Sequence, residues 1–167
     1  MTGARVIAGG SILLALSACG SMLPGVVDAL PNEVNGLELT EQSLADDGRL
    51  SAALDDEGLP PDAVTGHEAR WGDDVRLVVL RFDSLGLEEP SRVARSLLGL
   101  GEVESSIGVV ANQTLFDLTG PDIGGVAYQF ALNGGGDEML MYTVVAPTEA
   151  DAEPIVRAIV GANPPRD

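Results

Sequence analysis

The most regular stretch of the chain is residues 75–82 (VRLVVLRF). Val75, Leu77 and Val79 point one way, Arg76, Val78 and Leu80 the other, and β-branched residues are frequent. A two-residue period of this kind predicts a strand, here one that is apolar on both sides. Residues 66–71 suit its hairpin partner, turning at Gly72-Asp73-Asp74. Downstream, Pro90 fits the first turn of a helix running to about Leu98, with Glu88 and Glu89 at its positive end and Gly99 and Gly101 as stops.

The second half has the same rhythm. Residues 113–118 predict a strand, and Val126, Tyr128, Phe130 and Leu132 alternate with Ala127, Gln129 and Ala131 along another. Asn133-Gly134-Gly135-Gly136-Asp137 is a turn, because glycine reaches the positive φ that tight hairpins need. Residues 139–145 form the return strand, and Asp151 is placed to cap a helix that tolerates Pro154 early and ends at Gly161. Nearer the start, residues 37–44 predict a strand, and residues 49–57 a short amphipathic helix ended by Gly58 and Pro60-Pro61. At an offset of 64 residues, Gly72, Asp73, Glu89, Pro90 and Ala94 recur as Gly136, Asp137, Glu153, Pro154 and Ala158. The expected fold is therefore α+β: an antiparallel β-sheet with helices packed on one face, built from two β-hairpin–helix units that form a candidate internal repeat.

Composition adds an aliphatic core and a strongly acidic surface. Hydrophobic residues make up 45% of the 167-residue chain, yet there are only three Phe, two Tyr and one Trp. The formal charge is −17, and all nine basic residues are Arg. Phosphate contacts need Lys and Arg, so so acidic a chain is expected to bind no nucleic acid and to be repelled by anionic headgroups. The acidity reads either as recruitment of cations or a basic partner, or as a solvated surface kept apart by self-repulsion.

The first residues have a different character. Arg5 and the amino terminus are followed by thirteen uncharged residues, 6–18 (VIAGGSILLALSA). A helix needs about twenty apolar residues to span a bilayer, so this run suits the apolar region of a signal peptide. It ends in Leu16-Ser17-Ala18-Cys19, which resembles the lipobox of bacterial lipoproteins. The resemblance implies cleavage between Ala18 and Cys19, a diacylglyceryl thioether on the Cys19 thiol, and attachment to a membrane through acyl chains. Two or more chains matter, because one chain at about 0.8 kcal/mol per buried methylene holds only marginally. The implied location is the cell envelope, on the outer face of the cytoplasmic membrane, or the outer membrane where a cell has two. Gly20 stands where the family's inner-membrane retention signal has Asp. Residues 1–18 are thus expected to be a cleaved leader, 19–35 a lipidated Gly- and Pro-rich tether, and 36–167 one globular domain.

Cys19 is the only cysteine, so its lipidation would leave no thiol for a disulfide, a metal site or a nucleophile. His67 is the only histidine; beside Glu68 on an expected edge strand, it reads as structural. No Gly-x-Ser-x-Gly elbow accompanies it, and one His without Cys makes a poor zinc set. The acidic runs Asp46-Asp47, Asp55-Asp56-Glu57, Asp73-Asp74 and Asp137-Glu138 lack the alternating spacing of a calcium loop. A weak cation site would require the turns at Asp73-Asp74 and Asp137-Glu138 to lie side by side. Gly134-Gly135-Gly136 has no following Lys and no strand-to-helix context, so it is no phosphate loop. Asn112-Gln113-Thr114 fits a glycosylation sequon that carries little meaning in a bacterial chain. Met139, Met141 and Tyr142 suit either a sheet core or the lining of an apolar hollow.

No catalytic, cofactor or metal site is expected. The sequence points instead to a non-enzymatic, lipid-anchored envelope domain that binds a protein partner or serves an accessory role. The alternative is a carrier of a small apolar or lipid ligand held between sheet and helices, motivated by the two-sided apolar character of residues 75–82 and 139–145.

Overall fold

The computed structural model describes residues 29–45 and 47–162. Cys19, Ala18 and the rest of the leader lie outside the described residues, as does Asp46. The described chain forms eight strands and three helices. In chain order these are β1 (Glu33–Val34), β2 (Leu37–Ser43), α1 (Gly48–Asp56), β3 (Val64–Trp71), β4 (Val75–Asp83), α2 (Glu88–Leu98), β5 (Glu104–Val110), β6 (Gln113–Thr119), β7 (Val126–Gly135), β8 (Glu138–Ala146) and α3 (Glu149–Ala162). The strands make one antiparallel sheet ordered β1-β2-β3-β4-β8-β7-β6-β5. The α+β class and the antiparallel sheet agree with the sequence pattern.

The placement of the helices does not. Val75, Leu77 and Val79 of β4 join Leu140, Tyr142 and Val144 of β8 in a core with Ile155, Val156 and Ile159 of α3. Val78, Leu80 and Phe82 join Met141 in a second core with Leu50 and Leu54 of α1 and Val93 and Leu97 of α2. Helices therefore cover both faces, α1 and α2 on one and α3 on the other. The reason is in the central strands: β4 and β8 are apolar on both sides, so a single helical layer would leave half of that surface in water.

The opposite placement also bears on the candidate repeat. Hairpins β3–β4 and β7–β8 do register at the 64-residue offset. Neighbouring antiparallel strands such as β4 and β8 are exchanged by a two-fold axis normal to the sheet, which keeps each face on its own side. With α2 and α3 on opposite faces, the two hairpin–helix units do not superpose about such an axis, and a structural repeat is not confirmed.

Two further differences concern ends and edges. Leu30 and Val34, in the segment read as tether, are buried in the α3-side core, and Trp71 Nε1 donates to Pro31 O at 2.7 Å. The folded part thus begins before Gly36. β3 is flanked by β2 and β4, so His67 sits on an internal strand and not at an edge.

Helix ends follow local chemistry. Asp47 caps α1, its carboxylate accepting from Arg49 N at 2.9 Å. Gly99, at φ 70°, closes α2 in the left-handed region, and Leu100 N donates to Arg95 O at 3.1 Å. Asp151 stands within the first turn of α3 rather than ahead of it. Its carboxylate accepts from Thr148 Oγ1 at 2.7 Å and from Asn35 Nδ2 at 2.6 Å, which ties the β1–β2 turn to the helix.

Candidate functional site

The path of the chain after β4 creates the feature of most interest. α2 lies over β4 and β8 in the middle of the sheet, and the chain then travels to the far edge to begin β5. β5 and β6 return toward the centre, but no described helix covers their α2-side face. Ile107 and Phe116 are cross-strand partners on that face and are 77% and 49% exposed. Val109, two residues along from Ile107, and Leu87 at the start of α2 are also exposed apolar side chains.

Between this ledge and α2 runs a groove of about 560 Å³. Its helical wall is Leu87, Glu88, Ser91 and Arg95, which fall on one line of α2 at helical spacing. The strand wall includes Ile107, Phe116 and Leu118, and the floor includes Gln129, Ala131 and Met141. The floor contains buried polar groups, and they are satisfied among themselves. Ser91 Oγ donates to Gln129 Oε1 in a short hydrogen bond. Gln129 Nε2 donates to Thr143 Oγ1 at 2.8 Å and to Ser91 O at 3.3 Å. A wider, open hollow of about 1090 Å³ adjoins the groove at Arg95, lined by Glu57, Arg92, Glu102, Glu104 and Pro121 among others.

Beneath the C-terminal end of α2, a buried charge cluster adds to the apolar packing that holds the helix in place. Glu68 of β3 is 1% exposed. Its Oε1 accepts from Arg76 Nε at 2.9 Å, and its Oε2 accepts from Arg49 at 2.8 Å and Arg70 at 2.9 Å. Arg70 and Arg76 are directly opposite across β3 and β4. Two like charges so placed repel, and the carboxylate between them turns that repulsion into a bridge. Arg76 also donates to Leu97 O at 3.2 Å and Leu98 O at 3.4 Å, the last carbonyls of α2, where a cation complements the helix dipole. Burial pushes the Glu68 carboxyl up, but the hydrogen bonds from Arg70, Arg49 and Arg76 outweigh it and hold its pKa at about 2. Glu68 is thus ionised and fully partnered, an arrangement that positions α2 and offers no free acid for catalysis.

The residues singled out in the sequence fall elsewhere. His67 is half-buried, and burial followed by the charge of Arg81 pulls its pKa below the ordinary value. The Asp73-Asp74 turn and the Asp137-Glu138 turn are not neighbours. β4 and β8 are antiparallel, so Glu138 pairs with Asp83 at the far end of β4 from Asp74. About eight residues of strand, roughly 25 Å, separate the turns, which removes the shared cation site. Glu138 instead pairs with Arg81 at 3.2 Å. Among the described residues no group of three His, Cys, Asp or Glu is placed to hold a metal.

Glu57, which closes the acidic run at the end of α1, pairs with Arg92 at 2.5 Å, linking α1 to α2. Met141 serves both sequence readings, buried in the α2-side core and lining the groove. Tyr142 faces the other way and stacks on Phe130 at 5.2 Å between ring centroids. Sequence reasoning missed the roles of Glu68, Arg95 and the exposed ledge. A signal for the first existed: Glu68 shares its strand face with Val64, an inward-facing position. No protein-family model matches this chain, and neither a curated protein nor a solved structure matches it.

Proposed function

We propose that this chain is a non-enzymatic binding domain, tethered to the outer face of a bacterial envelope membrane by lipid on Cys19, and that it binds through the open ledge of β5 and β6. The observation that carries the binding part is the set of exposed apolar side chains Leu87, Ile107, Val109 and Phe116 beside the groove. A contiguous exposed apolar surface on an otherwise acidic domain costs solubility, and such surfaces mark places where something binds. The tether rests on the lipobox resemblance of Leu16-Ser17-Ala18-Cys19. Among the described residues no helix is long and apolar enough to cross a membrane.

The groove favours a second reading, that of a carrier for a small apolar or lipid ligand held between sheet and helix. Its volume of about 560 Å³ lies within the roughly 300–1,000 Å³ of ordinary small-molecule sites, and most of its lining is apolar. Fractionation of cells expressing the full chain tests the tether: wild type pellets with membranes, and Cys19→Ala does not. Membrane association that survives Cys19→Ala refutes the anchor. Native mass spectrometry of protein from its own host separates the two binding readings. A copurifying lipid supports the carrier, and a bare protein mass supports the docking surface alone.

A further inference from the structure

We propose that the groove beside α2 binds a long-chain monocarboxylate, with its acyl chain over Phe116 and Ile107 and its carboxylate paired with Arg95. The proposal rests on the carrier reading and specifies its ligand. Seven arginines lie among the described residues, and Arg49, Arg70, Arg76, Arg81, Arg92 and Arg157 each contact a carboxylate. Arg95 alone among them pairs with none. Its Nε donates to Ser91 O at 3.3 Å, and its terminal nitrogens make no hydrogen bond to the described residues. In a chain with 26 acidic residues, a half-buried guanidinium without an acid is out of keeping with its surroundings.

The position of Arg95 suits a head-group contact. It lines both the apolar groove and the open hollow, so it stands where the two meet. A chain laid in the groove would bring its polar end to this junction, where the head keeps contact with water. The floor of the groove does not compete for that head, because Ser91, Gln129 and Thr143 spend their hydrogen-bonding groups on one another. A planar guanidinium also matches a carboxylate in two parallel hydrogen bonds.

Charge selects the class of head group. One guanidinium balances one negative charge. A second would face Glu102 and Glu104 in the adjoining hollow, whose other cation, Arg92, is already paired with Glu57 and Glu88. A monocarboxylate therefore fits better than a phosphate monoester, and a neutral alcohol would leave Arg95 as it is.

The test uses membranes from cells expressing the full chain and a palmitate carrying a diazirine in its acyl chain. Saturable crosslinking to peptides containing Ile107 or Phe116 is expected, and Ile107→Asp should abolish it. Ile107 is 77% exposed, so the substitution spares the core. Unlabelled palmitate should compete about ten-fold better than hexadecanol, the usual scale of a charge-assisted contact, and Arg95→Gln should erase that preference. Equal competition by hexadecanol, or by hexadecyl phosphate, overturns the carboxylate assignment while leaving the groove as an apolar site. A saturable site absent with every probe overturns both this proposal and the carrier reading.

Discussion

Replacing Glu68 with Gln isolates the cluster on which the position of α2 depends. Gln keeps the shape of the side chain and removes the charge, leaving Arg49, Arg70 and Arg76 around a neutral amide. The carboxyl is held at about 2 against an ordinary value of 4.5. A difference of about 2.5 units corresponds to about 3 kcal/mol of native-state stabilisation from the ionised form. That agrees with the roughly 3–5 kcal/mol lost when one partner of a buried pair is removed. A folded-state pKa depressed below the unfolded value gives stability that is fully present above about pH 4.5 and lost as pH falls toward 2. Urea unfolding of wild type and Glu68→Gln at a series of pH values reads this directly. At pH 6 the variant should be less stable by about 3 kcal/mol, and the gap should narrow by about 2 kcal/mol by pH 3. Glu153→Gln, which breaks an exposed pair with Arg157, should cost less than about 0.5 kcal/mol and serves as control. A gap between wild type and Glu68→Gln that is the same at pH 6 and pH 3 would refute the reasoning. It would mean that the arginines are not held by the charge of Glu68.

Two other predictions concern β3. A Cβ at Gly66 would lie 2.6 Å from Leu80 Cδ2, 3.0 Å from Val79 O and 3.3 Å from Leu44 Cδ1. Gly66→Ala should therefore lower the urea midpoint by an amount equivalent to about 1–3 kcal/mol, the usual scale of overpacking, and an unchanged midpoint counts against this packing. His67, lowered by burial and then by Arg81, should titrate below its ordinary value in an NMR pH series of the single imidazole. The sign follows: stability is complete above the ordinary value and falls as pH drops through the folded-state midpoint. A midpoint at or above about 6.5 would show that burial does not act on this ring.

The strands that carry a two-residue period were legible in the sequence, and those that do not were lost. β4 and β8 are marked by uninterrupted apolar and β-branched residues, and β7 by its alternation before a glycine-rich turn. β5 (ESSIGVV) begins with three polar residues and contains Gly108. Its hairpin turn is Ala111-Asn112, with both residues at positive φ and no glycine between the strands. Such a turn gives little warning, so β5 and the ledge it forms went unread. The two-sided character of the central strands was legible too, and it already implied helices on both faces. What the pattern does not contain is the side each helix takes, because that depends on how the connection crosses the sheet.

The groove arises from that crossing, and the acidity of the chain gives it a physical setting. α2 is held over β4 and β8 by its apolar face and by Arg76 at its last carbonyls. Glu68 fixes Arg76, so the buried cluster and the wall of the groove are one mechanical unit. β5 ends the sheet, with no strand on its outer edge among the described residues, and Glu104 is its only charged residue. An open strand edge with so little charge invites pairing with another copy of the chain. Self-repulsion at a net charge of −17 opposes that encounter at long range without covering the ledge. A net charge this negative, with Arg95 left without an acid partner among the described residues, therefore does two things at once. It keeps copies of the domain apart, and it leaves the junction at Arg95 as the place where a single negative charge on an apolar tail is best received.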